Sequence, residues 1–172
     1  MANEPYIAKI PNNTSILQLT KFTVVFPTLS FLKYFSQTMN LPGVSTTAVE
    51  VPSPFSSTFR HGDKLVYETF SVNAIIDEEM RVWEETYNWL RALTKPTKFS
   101  EYGRFYNARG ELYHDAILTV NTNANLPNIR FKFKNIHPVS LGGVAFNTSD
   151  NAQSIPTADV TFRYDFFEIE RL

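Results

Sequence analysis

The chain has no cysteine, which removes disulfides, thiolate nucleophiles and cysteine-ligated metals from its possible chemistry. This absence fits a reducing compartment but does not fix one. Histidine is scarce, with only His61, His114 and His137, and none stands at metal-ligand spacing from another. A metal site would need carboxylates from separate strands, and no spacing points to one. There is no Gly-x-Ser-x-Gly elbow, no phosphate-cradling glycine loop and no dinucleotide fingerprint. No apolar run approaches the roughly 18 residues of a membrane span. The first fifteen residues lack the basic-then-apolar layout of a signal peptide. The expectation is a soluble protein not exported through a cleaved signal. The formal net charge of -1 gives no bulk electrostatic pull towards nucleic acid or an anionic membrane.

What the chain does have is apolar material. Hydrophobic residues make up 43% and aromatic residues 15%, with 15 Phe and 8 Tyr in 172 residues. That suits one ordered domain over 1–172. Its organising stretch is 65–93. Over 69–76, Phe70, Val72, Ala74 and Ile76 alternate with polar residues, the period of a half-buried strand. The period then changes, and Met80, Trp83, Tyr87 and Leu90 recur every three or four residues along one side of a helix over about 78–93. Asp77 can accept from the free N–H groups of the first turn, and Glu78 and Glu79 suit the positive end of the helix dipole. Lys95-Pro96 closes the helix. It is the one clear helix, set beside a body of strands.

Further strands are predicted over 18–26, 31–39, 44–51, 112–121, 129–136 and 158–166, with 31–39 open to a short helix. Residues 1–15 read as an N-terminal arm, 94–111 as loop and 138–157 as a long connection. His137-Pro138 is expected to end the strand before it, and a change of phase at Phe167 and Ile169 suggests a bulge or a new environment. The fold class is therefore mainly β, a sandwich or barrel of about six or seven antiparallel strands with one flanking helix.

Residues 52–64, PSPFSSTFRHGDK, read as a protruding loop. Phe55 and Phe59 lack periodic partners, so they either cover the core edge or reach a neighbouring copy. Pro54, Phe55, Phe59, Arg60 and His61 are the candidate subunit-interface residues. The carboxylates cluster on the outer helix face, where solvation explains them. No catalytic constellation is found and no cofactor is expected. On the strand over 129–136, Arg130, Lys132 and Lys134 form an outward stripe that could meet phosphates. Cross-strand pairing with an acid such as Asp159 or Asp165 explains it more simply.

Several motifs in order resemble the tail tube proteins of phages with contractile tails. They are Leu41-Pro42-Gly43-Val44, Pro52-Ser53-Pro54-Phe55, Gly62-Asp63-Lys64-Leu65, the block from Ile76-Asp77-Glu78-Glu79 to Tyr87-Asn88-Trp89-Leu90, His137-Pro138-Val139-Ser140-Leu141, and Thr161-Phe162-Arg163-Tyr164. The resemblance spans about residues 18–170. It implies a β core with one flanking helix and homohexameric rings whose sheets join into an inner barrel. The rings would stack into a tube wrapped by the tail sheath protein. Baseplate and tape-measure proteins would be further partners, and DNA would pass only transiently through the lumen. The protein would be a non-enzymatic virion component, assembled in the host cytoplasm, with no membrane partner. A bore that passes DNA should not retain it, so Arg130, Lys132 and Lys134 are expected to be paired or to face away. Two other readings remain: a single-ring initiator or terminator of the same machinery, and a carbohydrate-binding β-sandwich. Against the latter, both Trp residues fall on the helix rather than on a sheet.

Overall fold

The computed structural model describes residues 13–106, 110–149 and 154–172. Most of the predicted arm, 1–12, lies outside them. The elements run β1 Phe22–Val25, α1 Ser30–Phe35, β2 Ser36–Met39, β3 Val44–Val51, β4 Thr58–Tyr67, β5 Phe70–Ile75, α2 Arg81–Thr94, α3 Phe99–Phe105, β6 His114–Asn121, β7 Pro127–Leu141, β8 Thr157–Arg163 and β9 Phe166–Arg171. Seven strands form one antiparallel sheet in the order β1-β6-β7-β8-β5-β2, with β9 added beside β7; β3 and β4 form a separate hairpin. The mainly β, antiparallel class read from the alternating segments holds.

The sheet folds over on itself, because β7 serves two sets of neighbours. Its first half lies between β6 and β9, and its second half pairs with β8. Asn135, with φ of 55°, sits between the halves. Asn tolerates this left-handed backbone better than most residues. Its side chain donates to Asp165 at 2.5 Å, and its N–H donates to Asp115 at 3.4 Å. The fold brings Phe70 of β5 against Phe133 of β7, with ring centroids 4.8 Å apart, and Phe26 against Phe162 at 5.1 Å. These stacked rings form the centre of the core.

β7 runs on through His137-Pro138, where sequence places a stop. Proline is tolerated because β6 pairs no further along β7 than Ile136, and the ladder to β8 shifts register between Pro138 and Ser140. The missing N–H therefore falls at a bulge beside an open edge. The phase change near the terminus is a change of partner: β8 pairs β5 and β7, whereas β9, after Tyr164 and Asp165, returns along the first half of β7. The first strand is shorter than expected, covering only Phe22–Val25.

Three corrections concern helices. The segment 31–39, for which strand was preferred over a short helix, is both: it begins as α1 and then extends into β2; 94–111, read as loop, contains α3. The third correction is the face of α2. The predicted stripe was Met80, Trp83, Tyr87 and Leu90, but the buried face is Val82, Glu85, Thr86, Trp89 and Ala92. Both sets have helical spacing. The small residues Thr86 and Ala92 allow close approach to neighbouring elements, and the Thr86 hydroxyl is satisfied by donating to the Val82 carbonyl at 2.9 Å. Met80 precedes the helix with φ of 53°. Trp83 and Tyr87 stack on each other at 5.2 Å on the flank, and Trp83 Nε1 donates to the Gly142 carbonyl at 3.2 Å. Asp77 does cap the helix, its carboxylate accepting the Val82 N–H at 3.3 Å.

Glu85 is the one acidic side chain on this buried face. It accepts the Phe31 N–H at 3.5 Å and lies 3.6 Å from the Arg104 guanidinium. Burial pushes its carboxyl above the ordinary glutamate value, and the Phe31 N–H and Arg104 only partly oppose this. A raised value means that the fold favours the protonated form. Its contribution is fully present below the unfolded value and is lost as pH rises through the folded one. Glu85→Gln is therefore expected to raise the thermal midpoint at neutral pH and to converge on the wild type near about pH 4. Melting curves across that range would check this; an unchanged difference at all pH values would contradict it.

Candidate assembly surface

The hairpin has no body to lean on. Every residue of β3 is exposed, and in β4 only Gly62 and Tyr67 are even partly covered. A two-stranded hairpin alone is marginal in water. This one exposes Val44, Val49, Val51, Leu65 and Val66 besides its aromatics. The chain places apolar side chains on both faces of a ribbon that its own core does not cover, as an interface element does.

Its root is fixed. The Glu68 N–H donates to the Gly43 carbonyl at 3.0 Å, and the Ser71 N–H donates to the Asn40 side chain at 2.6 Å. Its middle is bent. Register runs Thr46↔Leu65 and then Ala48↔His61, so three residues oppose one. Gly62 fills the bend, and a Cβ there would stand 2.4 Å from the Thr47 carbonyl oxygen. Backbone cannot yield as a flexible side chain can. Gly62→Ala is expected to redirect the outer half of the hairpin and abolish assembly with little change in the melting of the body, read by particle counts and circular dichroism together. Normal assembly of that variant would show that the bend is not needed.

The segment 52–64, read as loop, is loop only as far as residue 57; from Thr58 it is strand β4. The structure places all five predicted interface residues on the outer half of the hairpin, between the bend and the tip. Pro54 and Phe55 lie in the connecting loop, with Phe55 99% exposed. Phe59, 69% exposed, stands opposite Glu50, Arg60 opposite Val49, and His61 opposite Ala48. The same ribbon exposes Val49, Val51, Leu65 and Val66, which sequence reasoning did not single out. The available signal was that VSTTAVEV puts valine on both faces.

Each member of the basic stripe is ion-paired, with two cations sharing one carboxylate. Arg130 and Lys132 lie 3.1 and 3.0 Å from Glu170, and Lys134 lies 2.6 Å from Asp115. The partners differ from Asp159 and Asp165, because β9 and β6 flank this half of β7. Asp159 instead accepts from Asn73. Hydrogen bonding to Lys132, with the nearby Arg130 charge, holds Glu170 below the ordinary carboxylate value.

Elsewhere, His114 Nε2 lies 2.7 Å from the Phe105 carbonyl, and the His137 ring contacts Tyr113 edge-on. Among the described residues no three His, Asp or Glu side chains gather as a metal site requires, and no helix is long and apolar enough to cross a membrane. Burial raises the Tyr164 hydroxyl to about 12.

The fold is one seen before. A chain in the cryo-EM structure of the anti-feeding prophage cap, its tube terminating cap, superposes with a TM-score of 0.66 at 12% identity, over 98% of this chain and 100% of that one. A chain in the sheath-tube complex of the PVC extracellular contractile injection system, in its extended state, gives 0.58 at 11% identity, over 92% and 94%. One in the sheath/tube terminator of the same system gives 0.58 at 10%, over 91% and 97%. At these identities the likeness is one of fold. No curated protein matches the chain. The model of the phage tail tube protein family matches residues 7–170. With nearly its whole length matched, the chain belongs to the phage tail tube protein family.

Proposed function

We propose that this protein is the repeating subunit of a tail tube. Six copies close into a ring, and rings stack into a hollow tube. A contractile sheath surrounds the tube, baseplate and tape-measure proteins meet it, and DNA passes through it transiently. The protein acts in the virion tail after assembly in the host cytoplasm, as a structural element and not a catalyst. The observation that carries this reading is the β3–β4 hairpin, exposed on both faces and ending in Phe55 and Phe59. A hairpin that meets a different surface on the next copy makes a heterologous contact, which closes into rings or propagates. Open edges of the main sheet, those of β1, β2 and β9 among them, would gain partners in the same assembly. The paired stripe on β7 suits a wall that does not hold DNA.

A second reading has its own support: the cap of the anti-feeding prophage spans this chain from end to end. A cap or initiator makes one ring and stops. Light scattering of purified protein over a concentration series separates the two. Mass that keeps growing supports the tube, a plateau at one ring supports the cap, and a monomer at every concentration, with or without purified baseplate, would sink both.

A further inference from the structure

We propose that the groove between β1 and β2 is the receptor for the outer half of the β3–β4 hairpin of a second copy, with Glu50 meeting Lys33. The inference rests on the self-assembly reading and adds its acceptor. β1 and β2 are the two ends of the sheet path, and among the described residues each has one unpaired edge. Both edges line a single groove of about 750 Å³. Its walls are apolar and polar, with Phe22 and Val24 from β1, Gln37 and Met39 from β2, and Leu19 ahead of β1. Among the described residues Lys33 of α1 is the one charge that lines it, and no acid does.

The hairpin supplies the complement. β3 pairs only with β4, so its outer edge is also unpaired. Its outer half, Ala48 to Val51, is apolar except for Glu50, the one charge on β3. Neither Glu50 nor Lys33 has an ion-pair partner among the described residues. Adding an extended segment to a free sheet edge satisfies backbone groups on both sides, and the side chains set which segment fits. The seam therefore selects an extended, apolar strand with one negative charge. Each copy carries one hairpin and one groove, so the contact joins unlike surfaces and can repeat from copy to copy.

Charge reversal tests the pairing. Lys33→Glu and Glu50→Lys should each lower the assembled fraction by about tenfold or more, since like charges then face each other at every repeated contact. The double variant should recover most of it. Both sites are exposed, so the folded body should melt as the wild type does. A covalent test needs no background correction, because the chain has no cysteine. Gln37→Cys and Val49→Cys copies, mixed and mildly oxidised, should give a disulfide-linked dimer that neither gives alone. If the wild type assembles and the reversed variants assemble equally well, this inference fails while the tube reading stands. If Gln37→Cys/Val49→Cys in one dilute chain closes an internal disulfide, the groove holds the chain's own hairpin, and the proposal is wrong. If the wild type never assembles, even on purified baseplate, the tube reading itself has failed.

Discussion

Phe55→Asp combined with Phe59→Asp is expected to leave a folded monomer that no longer builds rings or tubes. Both rings stand in water, 99% and 69% exposed, so the body loses no packing when they are replaced. Surface changes of this kind usually move stability by less than about 0.5 kcal/mol. In a contact between copies the effect would be large. Aromatic anchors buried at the centre of an interface typically cost about 2 kcal/mol or more when removed, and a buried, unpaired carboxylate adds to that cost. Two such losses at each repeated contact should lower association by roughly a thousandfold. Unchanged circular dichroism and melting, with no particles by electron microscopy, is the expected pair of results. Tubes of normal length would exclude this end of the hairpin as an interface.

Trp89→Ala should have the opposite profile, with the body itself giving way. Trp89 is 1% exposed, stacks on Phe105 at 6.4 Å, meets His114 edge-on at 5.3 Å, and donates Nε1–H to the Leu112 carbonyl at 3.0 Å. Removing it opens a cavity and leaves the Leu112 carbonyl without its donor. The expected cost is about 3–5 kcal/mol, against a total of roughly 5–15 kcal/mol for a typical domain. The thermal midpoint should fall by about 6–20 °C. Trp83→Ala, which loses the Tyr87 stack and the hydrogen bond to the Gly142 carbonyl on a half-buried flank, should cost less, about 1–2 kcal/mol. If the two midpoints fell in the reverse order, the assignment of the buried face of α2 would be wrong.

This pair of tryptophans shows what could be read before the fold was known. The change from period two to period three or four located the β5–α2 junction and Asp77 at the helix start. It could not choose between two apolar stripes on one helix. Bulk pointed to Trp83 and Tyr87, whereas close packing favoured the side of helix α2 carrying Thr86 and Ala92. Helices α1 and α3 are six and seven residues long, too short for a periodic pattern to emerge. Pro138 read as a stop because its missing N–H is costly inside a sheet; that it fell beside an open edge depended on where β6 ended, which is a tertiary fact. The hairpin was half legible. Phe55 and Phe59 stood out as unpartnered, but Val49 and Val51 looked like ordinary strand residues until the body proved to lie elsewhere. Arg130, Lys132 and Lys134 were rightly expected to be paired, but their partners came from β9 and β6 because strand order, not sequence distance, decides neighbours.

The central claim is that copies of this chain assemble with one another around a bore. Negative-stain electron microscopy of the purified protein at high concentration, alone and with purified baseplate, tests it most directly. Hollow tubes or stacked rings with sixfold end views are the expected result. Dispersed monomers in both samples would contradict the claim.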